Sequence, residues 1–156
     1  VNTAEEAREV VKASKFAPIG LRGSYTSRQG IGVTDYIDKA NAQTMVIILI
    51  EDIEAVKNLD EILKIDHIDV FFVAPGDLAQ TMGYAGQHSH PKVAKTVEKT
   101  LEKIIASGRV AGTMVSDQTV EKYVKMGVRF LSVAWMPWLY SGGQAFLDKV
   151  AATAKQ

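Results

Sequence analysis

The chain has 156 residues, the length of one ordinary domain, and 47% of them are hydrophobic, enough to build a core. Lys plus Arg and Asp plus Glu balance at 18 each, so no basic field points to nucleic acid. The absence of cysteine excludes disulfides, thiolate metal sites and a cysteine nucleophile and fits a reducing cytoplasm; the apolar runs fall far short of the roughly 20 residues a membrane helix needs.

The opening residues, Val1-Asn-Thr-Ala-Glu-Glu6, lack the basic and apolar regions of a signal peptide, and they lack an initiator Met. Thr3 reads as an N-cap, with Glu5 and Glu6 in the first turn and Ala4, Ala7, Val10 and Val11 as the stripe of a helix ending near Phe16. Residues 17–23, with Pro18, Gly20 and Gly23, form a loop. Residues 24–32 continue as a surface loop, and residues 33–42 are helical. The run Met45-Val-Ile-Ile-Leu-Ile50 has no alternation and reads as a strand buried on both faces. Residues 52–69 read as a single helix flanked by short loops, with Ile53, Val56, Leu59, Ile62 and Leu63 on its buried side.

Val70-Phe-Phe-Val-Ala74 is a second buried strand, followed by a loop over residues 77–90 with a helical turn at 78–82. Pro91 starts a long helix that Gly108 stops. Residues 110–115 are a third strand, Asp117 caps a helix ending at Gly127, and residues 130–135 are a fourth strand. A last helix covers 142–154. Strand–helix units of roughly 25 residues predict an α/β fold with a parallel sheet, as in a (β/α)8 TIM barrel. Four units are the second half of such a barrel, and residues 1–156 form a single domain with no internal boundary.

Two acids stand out. Glu51 ends the first strand, and Asp77 follows the second after Pro75-Gly76. Parallel strands joined by a crossover point their C-terminal ends the same way, so both acids meet at the rim where such folds keep their chemistry. Two hard oxygen donors without a thiolate point to Mg²⁺ or Mn²⁺. The competing reading is a rim acid that caps a helix or pairs with a base.

At this point the motifs themselves are informative. Ile48-Leu-Ile-Glu-Asp-Ile-Glu-Ala-Val-Lys-Asn-Leu-Asp-Glu-Ile-Leu63 resembles the fifth strand and helix of the HpcH/HpaI aldolases, the metal-dependent pyruvate aldolases of the 4-hydroxy-2-oxoheptanedioate and 2-keto-3-deoxyglucarate type. Val73-Ala-Pro-Gly-Asp-Leu-Ala-Gln-Thr-Met-Gly-Tyr84 is similar to that family's sixth-strand signature, and His90-Pro-Lys-Val93 to the opening of its next helix. Val1-Asn-Thr-Ala-Glu-Glu-Ala7 and Pro18-Ile-Gly-Leu-Arg-Gly23 resemble its fourth strand end and the following loop. The resemblance covers nearly the whole chain and implies strands five to eight.

It implies Glu51 and Asp77 as the ligands of a divalent metal ion, Mg²⁺ or Mn²⁺, and Pro75, Gly76 and Asp77 as the segment that binds substrate. It also implies reversible cleavage of a 4-hydroxy-2-oxo acid to pyruvate and an aldehyde, with the metal stabilising the pyruvate enolate as a Lewis acid. The implied partners are small molecules, a 2-oxo acid and an aldehyde, with neither nucleic acid nor membrane involved, and the last helix packs on a neighbouring subunit of a homo-oligomer. The family's His base and enolate-stabilising Arg belong to earlier strands, so no catalytic residue is identifiable here. Leu49 stands where the family usually has Gln, and Val133-Ala-Trp-Met-Pro-Trp138 replaces its usual last-strand end. The same metal pair serves CoA-ester lyases and oxaloacetate decarboxylase-like enzymes, and a non-catalytic barrel remnant is the reading outside enzymology.

The other candidates have blander readings. Asp52 and Glu54 fit a solvated first helical turn. His88 and His90 lack a third soft ligand, and His90 is expected to cap or pack at a helix start. His67 reads as a surface residue. Arg22 is set to grip a carboxylate or to anchor its loop by an ion pair. Gly20, Gly23, Gly30 and Gly32 are turn glycines without a phosphate fingerprint. Trp135 and Trp138 are candidates to line the pocket or a subunit contact, and the preferred reading is burial at the rim.

Overall fold

The computed structural model describes residues 1–24 and 28–154. Helix α1 (Ala4–Ser14) starts where the Thr3 side chain accepts a hydrogen bond from the Glu6 amide, and it buries Ala7 and Val11. The chain then doubles back beneath the helix end: the Leu21 amide donates to the Lys12 carbonyl at 2.7 Å and the Arg22 amide to the Lys15 carbonyl at 2.9 Å. Of the surface loop expected at 24–32, residues 25–27 lie outside the described residues, and residues 28–30 make a 3₁₀ turn. Helix α2 (Tyr36–Gln43) is tied to the end of α1 by Asn41, which accepts from the Phe16 amide at 2.7 Å and donates to the Phe16 carbonyl at 3.0 Å. The buried Lys15 ammonium donates to the carbonyls of Asn41 and Thr44.

Strands β1 (Ile47–Ile50), β2 (Val70–Val73), β3 (Ala111–Val115) and β4 (Phe130–Val133) form one sheet in sequence order, with every pair parallel. The register sorts the side chains. Ile50, Val73 and Thr113 lie side by side on one face; Leu49, Phe72 and Gly112 lie side by side on the other. Helices cover the first face, and the core of Ile48, Ile50, Phe71, Val73, Leu101 and Ile104 sits there. On the other face Gly112 leaves room for its neighbours: a Cβ there would come within 2.9 Å of the Phe72 ring. Phe72 meets Phe130 edge-on across that space.

Several expectations are corrected. Burial of β1 on both faces does not hold: Ile48 and Ile50 are 2% and 0% exposed, whereas Ile47 and Leu49 are 38% and 41% exposed. The pleat alternates, and only the helix-covered face is closed. The single helix of residues 52–69 is two short ones, α3 (Ile53–Lys57) and α4 (Leu59–Ile62), separated by Asn58. The Asn58 amide group donates to the Asn2 carbonyl at 2.9 Å, so a contact 56 residues away fixes the break. The loop at 77–90 begins with a full helix, α5 (Pro75–Thr81), started by its own Pro.

Helix α6 (Pro91–Ala106) has the expected limits and α7 (Val120–Met126) ends at Gly127 with φ 104°, but Asp117 does not cap α7. Its carboxylate accepts from the Trp138 indole N–H instead. The last helix, α8 (Met136–Thr153), begins six residues before the expected 142, because Pro137 stands in its first turn, where a missing N–H costs nothing. Trp135 and Trp138 are exposed rather than buried. Strand order and parallel pairing are those of a part of a (β/α)8 barrel. No helix among the described residues is long and apolar enough to cross a membrane.

Candidate functional site

The C-terminal ends of β1 and β2 lie side by side, with Ile50 in register with Val73 and the Ala74 amide donating to the Ile50 carbonyl at 3.2 Å. Glu51 leaves β1 at that point. Asp52 caps α3 by accepting from the Glu54 amide at 2.8 Å, so the chain turns away at once and Glu51 stays on the rim, half-buried. Pro75, Gly76 and Asp77 form the first turn of α5 above the end of β2. The C-terminal end of α5 is held against the start of α3 by Thr81, whose hydroxyl accepts from the Ile53 amide at 3.1 Å and donates to the Leu78 carbonyl. Glu51 and Asp77 thus stand on neighbouring elements of one rim.

Among the described residues neither carboxylate has a hydrogen-bond or ion-pair partner. The N-cap of α5 is Ala74, without a side-chain cap bond, so Asp77 is not consumed in capping. A Cβ on Gly76 would meet no atom within 4 Å, so packing does not explain this glycine and the backbone beside Asp77 is open to a ligand. No group of three His, Asp or Glu converges among the described residues. Two unspent hard oxygen donors beside open backbone fit an ion that retains most of its own water, as Mg²⁺ does; they do not form a closed cage.

Of the remaining candidates, His88 lines a cleft next to this rim with Pro75 and Gly76. His90 caps α6, its Nδ1 accepting from the Lys92 amide at 3.3 Å, and stacks on Tyr84 with ring centroids 4.0 Å apart. His67 is exposed, as expected. Arg22 follows neither expectation among the described residues: its guanidinium lies 4.8 Å over the Phe16 ring. Gly20 is required by close approach, since a Cβ there would fall 2.3 Å from the Lys15 carbonyl oxygen.

Sequence reasoning missed a cleft of about 540 Å³ next to the rim. It runs from Pro75 and Gly76 across the ends of β3 to α6 and α7. Val97 and Met114 line its apolar part, Ser116, Thr119 and Tyr123 its polar part, and Glu98 and Lys122 form an ion pair across it. The Glu98 carboxylate raises the Lys122 ammonium above its ordinary value, and burial raises the Tyr123 phenol. Glu98 and Lys122 belong to different helices, so no local spacing in the sequence pairs them.

A family model described as HpcH/HpaI aldolase/citrate lyase matches residues 1–135. The chain is 37% identical over 138 residues to the 4-hydroxy-2-oxo-heptane-1,7-dioate aldolase of Escherichia coli, covering 85% of this chain and 53% of that protein. It is 37% identical over 161 residues to the hydroxypyruvate/pyruvate aldolase of Cupriavidus necator, covering 100% of this chain and 59% of that protein. A crystal structure of an HpcH/HpaI aldolase/citrate lyase family protein from Burkholderia cenocepacia superposes with a TM-score of 0.86 at 28% identity, covering 97% of this chain and 62% of that one. The chain therefore spans little more than half the length of the curated relatives it matches.

Proposed function

Because the chain belongs to the HpcH/HpaI aldolase/citrate lyase family, we propose that it carries the metal-holding part of a class II aldolase that cleaves or forms 4-hydroxy-2-oxo acids. The observation that carries this reading is the pair Glu51 and Asp77, unengaged at the C-terminal ends of adjacent parallel strands. These two carboxylates hold Mg²⁺ or Mn²⁺. The ion supplies Lewis-acid stabilisation of the negative charge that develops on the oxygens of a 2-oxo acid.

This chain's own residues bind and orient. The open backbone at Gly76 faces the acid group, and Pro75 fixes the turn that presents it. In the direction of addition, the methyl carbon of pyruvate gives up a proton and bonds to the aldehyde carbon, whose oxygen takes up a proton; cleavage is the reverse. The proton acceptor is not assigned to any residue of this chain. The exposed apolar face of α8 is covered in a homo-oligomer.

The test is exchange of pyruvate methyl protons into D₂O, followed by NMR on the full-length protein with Mn²⁺, with Mg²⁺ and with EDTA. Exchange is expected only with metal. Glu51→Gln and Asp77→Asn are each expected to lower it by about a hundredfold or more, the scale of losing a ligand to a functional ion. Undiminished exchange in either variant would remove that residue from the metal site.

A further inference from the structure

The cleft beside Gly76 has a definite chemistry. Its volume of about 540 Å³ exceeds what a fragment the size of pyruvate fills. It opens on the same C-terminal rim as Glu51 and Asp77, because Pro75 and Gly76 follow β2 and Ser116 follows β3. Val97 and Met114 offer an apolar wall, and Ser116, Thr119 and Tyr123 offer hydroxyls. Among the described residues its lining carries one Lys, Lys122, and one carboxylate, Glu98, which neutralise each other, with the His88 imidazole beside them.

We propose that this cleft receives the aldehyde portion of the substrate and selects an uncharged, hydroxylated aldehyde over a carboxylate-ended one. The inference rests on the aldolase reading above and deepens it. A carboxylate tail entering the cleft must compete with Glu98 for Lys122 and meets the like charge of the Glu98 carboxylate. A hydroxylated tail makes no such demand: it hydrogen-bonds to Ser116, Thr119 and Tyr123 while the ion pair stays closed. Selectivity then comes from charge repulsion as much as from attraction. Glu98 and Lys122 act as specificity-determining residues, and both side chains reach solvent, at 31% and 52% exposure, so either can be replaced without emptying the core.

The full-length protein with Mn²⁺ and pyruvate is offered D-glyceraldehyde or succinic semialdehyde, and the ratio of the two kcat/KM values is measured. The unaltered protein is expected to favour glyceraldehyde. Glu98→Gln frees the Lys122 cation and is expected to shift the ratio about tenfold toward succinic semialdehyde. Lys122→Met leaves Glu98 unpaired and is expected to shift it the other way. A preference for succinic semialdehyde in the unaltered protein, or a ratio that moves in neither variant, overturns the proposal. Pyruvate exchange is read separately: if the unaltered protein shows no metal-dependent exchange, the aldolase reading falls and takes this one with it; exchange with an unmoved ratio sinks the specificity proposal alone.

Discussion

A single missing side chain controls the turn after α1. Gly20 lies against the Lys15 and Lys12 carbonyls, where a Cβ would stand 2.3 and 2.8 Å from the two oxygens. Both are backbone atoms held by the helix end and by the amides of Leu21 and Arg22, so neither can swing aside. Gly20→Ala is therefore expected to cost about 2 kcal/mol through forced backbone displacement, seen as a lower urea midpoint with unchanged slope. An unchanged midpoint would mean that the turn relaxes freely. At this scale the sequence was legible where a residue acts on its own neighbours. Thr3 and His90 cap the helices they precede because a cap bond spans only two or three residues. It was not legible where the partner is remote: Asp117 looks like a cap but receives the Trp138 indole from 21 residues away, and Arg22 finds the Phe16 ring rather than a carboxylate.

Elements follow the same division. Strand positions, parallel pairing and the limits of α6 were readable because apolar runs, Pro91 and Gly108 are local signals. The break between α3 and α4 was not, since the apolar spacing continues through Asn58. The break is fixed from outside by the bond from Asn58 to the Asn2 carbonyl. Asn58→Ala removes that bond, worth about 1 kcal/mol, while Ala gains up to about 0.7 kcal/mol of helix propensity. A small net loss of stability is expected from chemical denaturation. A net gain would instead show that the intervening turn is set by Asn58's own backbone preference and that Asn2 merely follows. The two acids of the candidate site were legible at this scale because each sits at a strand end; the Glu98–Lys122 pair required the packing of α6 against α7.

At the scale of the whole molecule, two surfaces are left open, and they call for different partners. The face carrying Ile47, Leu49 and Met114 is the one a closed barrel turns inward. The other surface is helical. Leu131 and Val133, beside Thr113 and Val115 on the side helices should cover, remain open, while α8 presents Leu139, Phe146, Leu147 and Val150 to solvent, Phe146 at 66% exposure. An apolar area of this kind marks a binding surface. Closing the barrel covers the inner face but leaves open whether α8 folds back on its own β4 or on a second copy. In the homo-oligomer proposed above, a second copy covers it. Phe146→Asp in the full-length protein is expected to lower the mass measured by light scattering, because a carboxylate in an apolar interface costs several kcal/mol, while the barrel itself stays folded by circular dichroism. An unchanged mass with a lowered melting temperature would place α8 against its own barrel, since the penalty would then fall on folding rather than on assembly.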